Sequence, residues 1–150
     1  PAWNTVDKAS LEAIAECGQG IVVLHHAVLA FPEWDTWTAV TGIPDRKNYQ
    51  YAFGRTVRSH VEHPDHPITR GLGDWDLIDE TYDATDPGEG SDVLLSTPCT
   101  ESLGAIAWTR QYRKSKVFCY QSGHDRAAYE DAHFRAVLAR GILWTCGEEG

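Results

Sequence analysis

The stretch Gly20-Ile21-Val22-Val23-Leu24-His25-His26-Ala27 decides the architecture. A short continuous apolar run, opened by glycine and closed by two histidines, reads as a strand covered on both faces. Upstream, Leu11, Ala13, Ile14, Ala15 and Cys17 keep helical spacing until Gly18 and Gly20 interrupt it, with Thr5 or Asp7 placed to cap the start. Downstream, Phe31-Pro32-Glu33 opens a second helix that runs to about Val40 and stops at Gly42. Helix, strand and helix in this order predict an α/β domain with a mostly parallel sheet and helices on both faces. Ligands bind outside the carboxyl ends of such strands, so His25 and His26 stand where a site is expected.

The rest of the chain extends this pattern. Lys116-Val117-Phe118-Cys119-Tyr120 is a second apolar strand, and Gln121-Ser122-Gly123-His124-Asp125 brings another histidine to its tip. Between the two, residues 55–62 alternate as a half-exposed edge strand would, while the prolines of His63-Pro64-Asp65-His66-Pro67 predict a rigid loop. Residues 75–82 read as a strand carrying Asp76, Asp79 and Glu80, followed by a turn-rich loop over 83–90. Val93-Leu94-Leu95-Ser96 and Ala105-Ile106-Ala107-Trp108 read as short strands, and residues 110–115 as the connection to the strand at Val117. A final helix is predicted from about Arg126 to Cys146, with Phe134, Val137, Leu138, Ile142 and Leu143 on its buried face.

Composition narrows the function. A chain of 150 residues with 42% hydrophobic content and six tryptophans fits one domain. A formal charge of −9, without a basic run, argues against nucleic acid as a partner. No apolar stretch reaches the roughly 20 residues of a membrane span and no signal-peptide pattern opens the chain, so a cytoplasmic protein is expected. The four cysteines lack CxxC spacing and read as mostly buried thiols, which leaves histidine and carboxylate as the ligands for any metal. The chain opens on Pro1-Ala2-Trp3, and a helix ahead of the first strand suggests that N-terminal strands are missing. A sheet edge left open in that way would favour a homodimer.

Seven motifs in order carry a family resemblance: Val23-Leu24-His25-His26-Ala27, Phe31-Pro32-Glu33-Trp34, Asp65-His66-Pro67-Ile68-Thr69-Arg70-Gly71-Leu72, Asp79-Glu80-Thr81-Tyr82, Ala107-Trp108-Thr109-Arg110, Gly123-His124-Asp125 and Arg140-Gly141-Ile142-Leu143-Trp144. Together they resemble the ThuA-like, or trehalose-utilisation, family over nearly the whole chain. The resemblance implies a single ThuA-like domain over residues 1–150, N-terminally truncated, with the flavodoxin-like fold of the class I glutamine amidotransferase superfamily. In that superfamily the nucleophilic cysteine sits at the sharp turn occupied here by His25-His26. Cys17 falls in a helix pattern and Cys119 inside a strand, so glutamine hydrolysis is not expected.

The same resemblance implies a small-molecule carbohydrate substrate, trehalose, another disaccharide or a keto-sugar, and nominates His25, Glu80 and His124 as catalytic residues. Asp79 is the alternate for Glu80. Two imidazoles and a carboxylate could hold zinc or another divalent ion. Without metal, they could exchange protons beside the carbonyl of an oxidised sugar. The competing reading is a non-catalytic sugar-binding or regulatory module that has lost the amidotransferase nucleophile. His26, His66, Tyr82 and Trp34 are candidate substrate contacts, although core packing is the simpler role for Trp34, as for Trp37 and Trp108. The sequence-local spacing of His60, His63 and His66 belongs to the proline loop.

Overall fold

Strands β1 (Ile21–Leu24) and β6 (Ser115–Tyr120) lie side by side in parallel, with Leu24 opposite Tyr120, so their carboxyl ends open on the same side. The structure is a computed structural model that describes residues 8–148, and the caps expected at Thr5 and Asp7 lie outside the described residues. The sheet has six strands in the order β1-β6-β5-β4-β2-β3, where β2 is Gln50–Val61, β3 Trp75–Asp83, β4 Asp92–Ser96 and β5 Ala105–Tyr112.

The expectation of a mostly parallel sheet is corrected here. Among the described residues only β1 and β6 pair in parallel; β6 with β5, β5 with β4, β4 with β2 and β2 with β3 are all antiparallel. The physical reason shows at Tyr112-Arg113-Lys114-Ser115. Tyr112 pairs with Ser115, and Arg113 takes a left-handed backbone (φ 52°), so β5 and β6 are joined by a two-residue turn. A parallel pair would need a crossover of a dozen residues or more.

Two further expectations about edges change. Among the described residues β1 borders only β6, and Val22 is 36% exposed, so within them this strand is an edge rather than one covered on both faces. β2 is internal by order, but it bonds β4 only through His60 and Val61, so most of its length pairs with β3 alone. These two strands form an arm, and β3 is the second edge.

Helices cover both faces. On one, α1 (Lys8–Cys17) and α2 (Asp35–Thr41) pack with Val23, Val40, Trp108 and Cys119. On the other, α3 (Arg126–Glu130) and α4 (Ala132–Thr145) pack Ala128, Phe134 and Val137 against Ile106, Phe118 and Tyr120. α2 begins at Asp35 rather than at Phe31, whose φ of 49° is not helical. The predicted last helix is two. Asp131 adopts an extended backbone between them and caps α4 by accepting from the Phe134 amide, as Asp125 caps α3 through Ala127. The buried stripe of α4 is Phe134, Val137, Gly141 and Thr145, while Ile142 and Leu143 are exposed. Gly141 is required there, since a Cβ would lie 2.2 Å from the Phe118 ring.

Candidate active site

β1 ends in a sharp turn at His25, where the backbone turns left-handed (φ 53°) and a 3-10 segment begins. A β-carbon-bearing residue adopts that conformation only where surroundings enforce it, at a cost on the order of 1–2 kcal/mol. Here the enforcing contacts are identifiable. Trp37 donates its indole N–H to the Ala27 carbonyl at 2.9 Å. The guanidinium of Arg46, 3% exposed, donates to the carbonyls of Ala30, Phe31, Trp34 and Ile43 and to the Thr38 hydroxyl. Burial pulls this guanidinium below its ordinary pKa, with Asp35 and Asp45 opposing. Arg46 thus pins the segment from Ala30 through α2 to Ile43, and nothing in the sequence pattern points to it.

The adjacent tip is built by β3. Asp79, 3% exposed, accepts from the Gly123 amide at 2.8 Å, the His124 amide at 3.0 Å and its neighbour Glu80 at 2.9 Å. One buried carboxylate therefore ties the loop after β6 to β3. Gly123 (φ 122°) sits in a conformation that only glycine adopts readily, and a Cβ there would approach Phe134 to 3.2 Å. The arm of β2 and β3 is thereby folded across the carboxyl ends of β1 and β6, bringing the two edges of the sheet together.

At the junction, His25, Glu80 and His124 meet. Glu80 Oε2 is 2.9 Å from His25 Nε2 and 3.0 Å from His124 Nδ1. Tyr82 donates its hydroxyl to Glu80 Oε2 at 2.7 Å and stands 2.8 Å from His25 Nε2. Side-chain exposure rises from 9% at Glu80 through 17% at His25 to 37% at His124, so the carboxylate forms the floor and the imidazoles the wall and lip. Among the described residues, these three are a group whose ligand atoms all lie within 4.8 Å of one another.

Proton accounting defines the chemistry of the cluster. His25 Nδ1 lies 2.9 Å from the Gln121 carbonyl, which can only accept, so the proton is on Nδ1. A neutral His25 then aims a lone pair from Nε2 at a carboxylate oxygen. Tyr82 has one proton to give, and burial first and its bond to Glu80 second push its phenol pKa up, so it remains a donor. The remaining Nε2···Oε2 contact calls for a proton, on the imidazole or on the carboxyl, or for a cation between the two atoms.

The surrounding pocket, about 390 Å³, is lined by His25, His26, Tyr49, Tyr51, Phe53, Glu80, Tyr82 and His124. His26 is held at its wall by a 3.0 Å hydrogen bond to the Tyr49 hydroxyl. Trp34 lies elsewhere, stacked on Trp37 at 6.2 Å between ring centres, its carbonyl accepting from Arg46. His66 also lies outside the lining, accepting from the Ile68 amide at 3.2 Å with its ring 5.6 Å from Trp144. Tyr49, Tyr51 and Phe53 are site residues that the sequence analysis does not single out. Their signal is the period of two in Tyr49-Gln50-Tyr51-Ala52-Phe53, which puts Tyr51 and Phe53 on one face of β2, with Tyr49 just before its first residue. Cys119 is fully buried in β6, and burial pushes its thiol pKa up, so it cannot serve as a nucleophile.

A left-handed turn at the tip of β1 in an α/β layer, carrying His25 into the pocket, is consistent with a glutamine amidotransferase-like fold. A GMP synthase protein from Thermoplasma acidophilum shares this fold, with a TM-score of 0.52, 10% identity, and coverage of 93% of this chain and 64% of that one. The chain belongs to the ThuA family, described as trehalose utilisation, whose model matches residues 2–145. A ThuA-like protein from Parabacteroides merdae matches with a TM-score of 0.81 and 20% identity over 97% of this chain and 66% of that one. Another, from Bacteroides uniformis, gives 0.73 and 18% over 94% and 64%. This chain therefore spans about two thirds of the length of these structures. No curated protein matches it in sequence. Among the described residues no helix is long and apolar enough to cross a membrane.

Proposed function

We propose that the protein is an enzyme acting on a carbohydrate, and that His25, Glu80 and His124 form its catalytic centre as ligands of a divalent metal ion. The observation that carries this reading is the convergence of two imidazole nitrogens and a carboxylate oxygen on one point at the pocket floor, with a proton or a cation needed between His25 Nε2 and Glu80 Oε2. His25 also has the second bond expected of a ligand, because donation to the Gln121 carbonyl fixes its tautomer and leaves Nε2 free. When bound, the ion would act as a Lewis acid on a sugar oxygen. The residues themselves orient that oxygen: Tyr82 offers a hydroxyl that stays protonated, and Tyr49 and His26 close the wall. The carbohydrate assignment is supported by the family description and by the aromatic, hydroxyl-rich lining.

A specific observation favours a second reading. Donor atoms around a tetrahedral zinc stand about 3.4 Å apart, whereas the contacts of Oε2 with the two imidazoles are 2.9 and 3.0 Å, which are hydrogen-bond lengths. In this reading His25 and Glu80 move protons beside the carbonyl of an oxidised sugar.

Elemental analysis of the purified, dialysed protein separates the two. Near-stoichiometric zinc or another divalent ion, lost in both His25→Ala and His124→Ala, supports the metal centre. Absence of metal after reloading overturns it and leaves proton transfer. If neither variant alters turnover or sugar binding, the catalytic assignment itself falls.

A further inference from the structure

Beyond the catalytic cluster, the pocket continues along β2. The Phe53 ring lies 5.1 Å from that of His124, and Tyr51 lies 5.4 Å further on, edge-on to Phe53. Both rings are open to solvent, Tyr51 by 61% and Phe53 by 60%. The register of β2 against β3 shifts between Ala52 and Arg55, with Gly54 left-handed (φ 63°), so the strand bulges where it presents Phe53 to the cluster. Leaving two neighbouring aromatic rings uncovered on a sheet arm is unfavourable unless something covers them.

Tyr51 also belongs to a second depression of about 320 Å³, lined by Gln50, Tyr51, Ala52, Asp83 and Glu101. The two cavities share that one side chain. A flat apolar ring therefore stands between the His25, Glu80 and His124 floor and a group of amide and carboxylate side chains. This combination suits a pyranose ring, whose C–H face packs on an aromatic surface while its hydroxyls bond to carboxylate and amide oxygens.

We propose that Tyr51 and Phe53 are the platform of a second sugar subsite, so that the substrate is a disaccharide or other glycoside spanning both cavities. This inference rests on the carbohydrate reading above. One ring occupies the pocket of His25, Glu80 and His124; the other lies on Tyr51, in the cavity lined by Gln50, Asp83 and Glu101, whose carboxylate also accepts from Arg55 at 2.6 Å.

The test is titration of wild type, Tyr51→Ala, Phe53→Ala and His25→Ala with trehalose, maltose, sucrose and lactose, and with glucose and galactose, by calorimetry and saturation-transfer NMR. Tyr51 is largely exposed, so melting of its variant should match wild type, which isolates binding from folding. The disaccharide that binds should weaken roughly three- to tenfold in Tyr51→Ala, the range an aromatic contact supplies, while monosaccharide binding changes less than twofold. Equal affinity of wild type for the disaccharide and its component monosaccharide, or no change in Tyr51→Ala, overturns the second subsite. If His25→Ala still abolishes binding in that case, the catalytic reading stands without it. Failure of every sugar to bind wild type overturns both.

Discussion

The molecule holds two sets of histidines, and they differ in every respect that matters for chemistry. His60, His63 and His66 are close in sequence but share no partner in these contacts. His60 pairs with Asp74 at 2.7 Å, His63 with Asp92 at 3.3 Å, and His66 accepts from the Ile68 amide. Each finds its own partner, and the His60 and His63 pairs are solvent-exposed. His25 and His124 come from distant parts of the chain, yet both close on one oxygen of Glu80, whose side chain is 9% exposed. Sharing one buried acceptor is what creates a demand for an extra proton or a cation, and an exposed one-to-one pair creates none.

The largest effect is expected where that acceptor is removed. Glu80→Gln should lower turnover of the sugar substrate by about 10³-fold, the scale of losing a positioned acid–base or ligand group, and should reduce bound metal in parallel. His63→Ala should leave turnover unchanged and stability within about 0.5 kcal/mol, as for most surface substitutions. Steady-state kinetics with both variants checks the contrast. Comparable losses in the two would mean that convergence on Glu80 is not the distinguishing feature.

Asp79 sharpens the comparison in stability rather than rate. It does not line the pocket, but its carboxylate takes the amides of Glu80, Gly123 and His124. Asp79→Ala leaves these donors without their acceptor in the interior, and the expected destabilisation is about 3 kcal/mol, measured by urea unfolding. Because the loop bearing His124 is released, metal content should also fall. Destabilisation below about 1 kcal/mol would show that water substitutes for the carboxylate.

How much of this is legible in the sequence depends on range. The strands ending at Leu24 and Tyr120 are readable because a continuous apolar run bracketed by breakers is a local signal, and their tips identify His25 and His124 as candidates. The antiparallel majority escapes that reading although its strongest clue is also local: residues 110–115 are too few to cross over a sheet, and strand continuation through Tyr112 is the alternative that fits. The division of the last helix is signalled by Asp131, a preferred N-cap standing in the middle of the apolar period. What local pattern does not carry is the folding of the β2–β3 arm across β1 and β6, since that closure rests on Asp79 meeting backbone amides after β6. The Arg46 staple is illegible for the same reason, being made almost wholly to carbonyls, which every residue possesses.

The smallest effect belongs to the exposed histidine pair, and its pH dependence tests whether such pairs contribute at all. The Asp74 carboxyl is held below its ordinary range, first by the Val61 amide at 3.0 Å and then by His60. A carboxyl depressed in the folded state adds stability above its unfolded pKa of about 3.9. That contribution is lost as pH falls through the folded value. Asp74→Asn should therefore melt slightly below wild type near neutral pH, with the difference shrinking once pH drops beneath about 4. Thermal melts across that range, at low and high salt, provide the check. A difference that persists in acid would assign the effect to the amide bond with Val61 alone, whereas one that vanishes in salt at neutral pH would assign it to charge. Either result separates the exposed pairs from the Glu80 cluster, whose shared carboxylate is shielded from solvent and should respond less to salt.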